Sequence, residues 1–130
     1  MANKSNCCTL AAIIEAQPRN NSPFGRNGFG MSMHFHYCGT PMCISGWAAS
    51  LNGNLENCDE LACEYLGIPL EWQYGCNSLF YPELQESWDE ITPARAAIVL
   101  RHLGDTGKID WTVAGLTPRA EANKEADDNE

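Results

Sequence analysis

The chain has 130 residues, enough for one domain that buries its own core. Its 17 acidic residues outnumber 8 lysines and arginines, giving a net charge of −9, the wrong sign for direct binding of nucleic-acid phosphates. No stretch approaches the ~20 apolar residues of a membrane span, and residues 1–8 have no basic region followed by an apolar run, so neither a membrane anchor nor a secretory leader is expected.

The first periodic segment runs from Cys7 to Gln17. Cys7, Leu10, Ile13, Ile14 and Gln17 recur at helical spacing, and Pro18 closes it. Residues 20–30 are rich in turn formers. From Phe29 to Tyr37, large apolar residues alternate with Gly30, Ser32, His34 and His36, which predicts a short extended segment with both histidines on its polar side. Thr40-Pro41 has the form of a helix start, with Thr40 as cap and Pro41 at the first helical position. Ile44, Trp47, Ala48 and Leu51 then form a core-facing stripe.

After the Asn52-Gly53-Asn54 turn, Cys58, Leu61, Ala62, Tyr65 and Leu66 give a complete apolar helix face that Gly67 ends. A helix from Pro69 is expected next, with Trp72, Cys76, Leu79 and Phe80 inward and Tyr81-Pro82 as its stop. Residues 82–91 read as an acidic loop. Thr92-Pro93 repeats the start signal, Ala96, Val99, Leu100 and Leu103 supply a core face, and Gly104 is the expected end. Trp111 is expected to fold back onto the core. The fold class is therefore mainly α: one compact domain, residues 1–116, of about five short helices with one short extended piece, followed by a disordered acidic tail, 117–130.

The concentrated chemistry lies between His34 and Cys43. Seven cysteines are an odd number in a chain without an export signal, which points to free thiols in a reducing, cytoplasmic setting. His34, His36, Cys38 and Cys43 have the spacing of a closed structural zinc site, the alternative to a protein without cofactor. A four-cysteine site from Cys38, Cys43, Cys58 and Cys63 is disfavoured, because Cys63 lies about 140° round the helix from Cys58. Under a Thr40 cap, Cys43 occupies the third helical position, where amides and dipole favour a thiolate. A histidine beside it would allow nucleophilic catalysis. A packed, inert thiol is the simpler expectation, and the chain is read as non-enzymatic.

The acids carry the stronger signal. Glu56, Asp59, Glu60, Glu64, Glu71, Glu83, Glu86, Asp89 and Glu90 lie in one stretch that contains no lysine or arginine. Glu60 and Glu64 stand one helical turn apart, where like charges cost ~0.2–0.5 kcal/mol per pair. A surface that keeps this cost suits a basic protein partner, for instance the groove of a nucleic-acid-binding effector.

The run Cys38-Gly39-Thr40-Pro41-Met42-Cys43-Ile44-Ser45-Gly46-Trp47-Ala48, with Leu79-Phe80-Tyr81-Pro82 later, resembles a group of small bacterial and phage proteins sharing a Cys-Gly-Thr-x-x-Cys-x-x-Gly-Trp-Ala core motif. The segment from Thr92 to Trp111 is similar to their last helix and Asp-Trp ending. The resemblance covers residues 29–111 and carries no catalytic residues. It implies a phage or mobile-element setting, in which small acidic proteins act as inhibitors of host nucleic-acid-targeting defences, the anti-CRISPR type among them.

Overall fold

A computed structural model describes residues 2–20, 28–31, 41–53, 58–73 and 78–118, apart from the side chains of Glu71 and Gln73. Within them lie four α-helices: α1 (Lys4–Glu15), α2 (Ile44–Leu51), α3 (Cys58–Leu66) and α4 (Pro93–Thr106). Short 3-10 turns occupy Leu70–Gln73, Trp88–Glu90 and Trp111–Ala114. Isolated β bridges pair Arg19 with Phe29 and Leu84 with Pro118. No helix there is long and apolar enough to cross a membrane. The mainly helical class is as expected, and the count of helices is lower.

The core is built from two helix pairs. In α1, Asn3 caps the first turn by accepting the Asn6 amide at 3.0 Å, and Cys7, Leu10, Ala11 and Ile14 face inward one turn apart. That face lies on α4, which contributes Ala96, Val99, Leu100 and Leu103. The two helices approach closely at Gly104, where an added Cβ would stand 3.1 Å from Cys7 Cβ and 3.4 Å from Lys4 Cα. Gly104 is thus inside the helix, not its end. The helix runs to Thr106, and Gly107 ends it with φ +76°, its amide donating to the Leu103 carbonyl at 2.8 Å. The Thr92-Pro93 start is found as read: Thr92 Oγ1 accepts the Arg95 amide at 3.2 Å.

The second pair is α2 on α3. Helix α2 is short and made of small residues, so Ile44, Ser45, Gly46, Ala48 and Ala49 are all buried. Its inward face is rotated from the expected stripe. Leu51 is 39% exposed and Trp47 only half-buried, because close contact with α3 favours the side with serine and alanines. In α3 the buried residues are Ala62, Cys63 and Leu66, with Cys58, Leu61 and Tyr65 half-buried. The start of α1 docks on the end of α3: the Asn3 amide donates to the Leu66 carbonyl at 2.8 Å, and Asn6 Nδ2 to the Tyr65 carbonyl at 2.7 Å.

Four expectations are corrected. Of the expected Pro69 helix, the described residues form only the 3-10 turn Leu70–Gln73, Cys76 lies outside the described residues, and Leu79 and Phe80 are buried outside any helix. Thr40 does not open α2, whose cap is Cys43. Gly104, as described, does not close α4. Residues 117 and 118 also pack on the domain, since Gln85 donates its amide to the Thr117 carbonyl at 2.8 Å and Pro118 is buried beside Leu84, while residues 119–130 lie outside the described residues. Trp111 folds back as expected. It is fully buried, and its Nε1 donates to the Ser78 carbonyl at 2.7 Å.

Candidate functional site

The first turns of α2 and α3 meet, and their polar side chains form one cluster. Cys43 caps α2 through sulfur, Sγ accepting the Gly46 amide at 3.5 Å. Two residues on, Ser45 is fully buried, and its hydroxyl donates to Asp59 Oδ1 at 2.5 Å. Asp59 is the second residue of α3, and its Oδ2 accepts the Tyr81 hydroxyl at 2.7 Å. Cys58 Sγ lies 3.3 Å from Ser45 Oγ.

Burial governs the thiols. It pushes Cys43 up to about 12, outweighing the Gly46 amide, which acts in the opposite direction. Burial thus works against the dipole-stabilised thiolate expected at Cys43. Cys58 is also raised by burial, partly offset by its contact with Ser45. Cys7, packed under α4, is pushed up to about 11 by burial. Of the zinc alternative, only Cys43 is described; His34, His36 and Cys38 lie outside the described residues.

The acids divide by role. Asp59 is half-buried and both its oxygens accept hydroxyl hydrogens, so it braces the core rather than forming open surface. Glu86 accepts the Thr117 amide at 2.8 Å and its hydroxyl at 3.0 Å, contacts that hold its carboxyl below the usual range. Glu90 is 3.9 Å from Arg95, and the main-chain carbonyl of Asp89 accepts from Arg19. Glu60, Glu64 and Glu83 remain exposed, and no lysine or arginine among the described residues pairs with them. Glu56 and the side chain of Glu71 lie outside the described residues.

Several of the described basic side chains are committed elsewhere. Lys4 pairs with Asp105 at 3.1 Å and Arg101 with Glu15 at 2.9 Å, joining α1 to α4. On the outward side of α3, no lysine or arginine among the described residues offsets Glu60 and Glu64. Sequence reasoning missed the bracing role of Asp59. The available signal was Ser45, a hydroxyl beside the Ile44 stripe, which needs a partner once buried. No family model, curated protein or solved structure matches the chain.

Proposed function

We propose that the protein is a non-enzymatic binding module that docks the outward acids of α3 onto a basic protein surface. The observation that carries this reading is the segregation of charge. Glu60 and Glu64 stand exposed one turn apart without a cationic neighbour among the described residues, while Lys4 and Arg101 are spent on α1–α4 ion pairs. A lysine- and arginine-lined groove that otherwise takes phosphates has the complementary charge. An inhibitor of a nucleic-acid-targeting effector, of the anti-CRISPR type suggested by the resemblance to phage proteins, is the concrete form of the proposal.

The test is affinity purification from host cells at two ionic strengths, comparing the native protein with Glu60→Gln/Glu64→Gln. A specific partner is expected to be retained by the native protein, weakened by salt and lost or reduced with the variant. A partner held equally by both proteins would overturn the acidic-face reading.

A further inference from the structure

Helix α2 ends on Asn52-Gly53, a step whose two neighbouring groups can react with each other. Gly53 has no side chain to shield its main-chain nitrogen; it is exposed, holds φ +88°, and has nothing within 4 Å of where a Cβ would stand. Attack of that nitrogen on Asn52 Cγ closes a five-membered ring, the usual route by which asparagine is lost. The fold holds both partners away from it. Asn52 Nδ2 donates to the Leu61 carbonyl of α3 at 3.1 Å, and the Gly53 amide donates to the Ser50 carbonyl at 3.3 Å. The Asn52 amide donates to the Ala48 and Ala49 carbonyls at 3.2 and 3.0 Å. Asn52 thereby keeps ψ at 9°, which lays the Gly53 nitrogen alongside the Asn52 nitrogen and away from its side chain.

We propose that Asn52-Gly53 is a spontaneous deamidation site gated by the α2–α3 contact, converting to aspartate or isoaspartate only when the end of α2 opens from α3. In the first step the Gly53 nitrogen gives its proton to solvent and attacks Asn52 Cγ. The bond from Cγ to Nδ2 breaks, and Nδ2 leaves as ammonia after taking a proton back from solvent. The product is a succinimide. In the second step one water adds to either imide carbonyl and opens the ring. Opening at Cγ gives aspartate, and opening at the main-chain carbonyl reroutes the chain through the side chain as isoaspartate. One amide and one water become one carboxylic acid and one ammonia, with no oxidant or reductant.

The gate follows from the bonds that ring closure must break. The leaving amide is the group that ties α2 to Leu61, and the attacking nitrogen is the one bonded to Ser50, so the reaction proceeds from a locally opened state. The product then resists reclosure. A carboxylate at position 52 offers an oxygen where the Leu61 carbonyl needs a donor, and it adds negative charge at the C-terminal end of α2, where the helix dipole is already negative. Asn27-Gly28, the other Asn-Gly step in the sequence, serves as an internal comparison.

The full chain is incubated in mildly alkaline buffer without urea, with urea below the unfolding transition, and with urea above it. Asparagine, aspartate and isoaspartate at position 52 are then counted by peptide mapping and mass spectrometry. In the unfolded chain Asn52 and Asn27 are expected to convert at similar rates. In the native chain Asn52 is expected to be slower than in the unfolded one by on the order of tenfold or more. Below the transition its rate is expected to rise in step with amide hydrogen exchange at the end of α2. Asn52→Asp stands for the product and is expected to show faster hydrogen exchange in α2 and α3 than the native protein. The rate comparison uses the native chain alone, so it holds even where Asn52→Asp does not fold. Equal rates in the native and unfolded chains, no conversion of Asn52 in the unfolded chain, or a folded Asn52→Asp protein with unchanged exchange would overturn the proposal.

Discussion

Asp59 shows how one side chain changes meaning once its neighbours are known. In the chain it is one acid among nine between Glu56 and Glu90; in the fold it receives the hydroxyls of Ser45 and Tyr81. Asp59→Ala removes the acceptor of a fully buried hydroxyl, so the expected loss is about 1–3 kcal/mol by urea denaturation. Adding Ser45→Ala to that variant should recover part of the loss, because the orphaned donor is then gone. Two losses that simply add would show that the pair does not interact. Glu86 gives a second prediction at this scale. Its folded-state carboxyl lies below the unfolded value because it accepts the Thr117 amide, so the stabilisation it supplies is present above the unfolded value of about 4.3 and is lost as pH falls through the folded one. The Thr117 amide resonance should therefore move on acidification with a midpoint below about pH 4.3. That step should vanish in Glu86→Gln.

The helices differ in how far local sequence determined them. α4 was legible at its start because Thr92 and Pro93 act within one turn, on amides that need no tertiary partner. The same pair of residue types at Thr40-Pro41 misled, since α2 begins only at Ile44 under a sulfur cap. Gly104 misled for a different reason: its requirement for glycine is the close approach of α1 from about a hundred positions away in the chain, which local periodicity cannot display. Gly107 and Gly104 can be told apart by substitution. Gly107→Ala meets open space but keeps φ +76°, so it should cost about 1 kcal/mol, or roughly 3–5 °C in Tm. Gly104→Val places added atoms against Cys7 and Lys4 and should cost about 1–3 kcal/mol by the same measurement. A neutral Gly104→Val would mean that α1 can shift freely on α4. The Pro69 helix failed because Leu79 and Phe80 are apolar for burial by tertiary contact, which supplies the same residue types as a helix stripe without its geometry.

At the scale of the whole molecule, charge and packing are separated. The described ion pairs Lys4–Asp105 and Arg101–Glu15 bind α1 to α4, while α3 carries Glu60 and Glu64 exposed and without a described cationic partner. Glu60→Gln/Glu64→Gln should leave the fold intact and raise stability slightly, by about 0.2–0.5 kcal/mol, with a smaller gain at high salt where repulsion is already screened. A clear loss of stability in that variant would show that these carboxylates have internal partners. The excess of acids was legible from composition alone, but its division into bracing, pairing and open groups was not. That division depends on which hydroxyls and amides the fold brings to each carboxylate.

The pairing of α1 with α4 also sets an order on synthesis. The apolar face of α1, formed by Cys7, Leu10, Ala11 and Ile14, has its main cover in a helix that starts at Pro93. At translation rates of about 5–20 residues per second, the intervening chain takes roughly 5–20 s to appear, counting to the end of α4. For that interval α1 emerges with its apolar face uncovered, in a nascent chain that still lacks its closing element. Folding of this domain is therefore completed late, once α4 is available to cover α1.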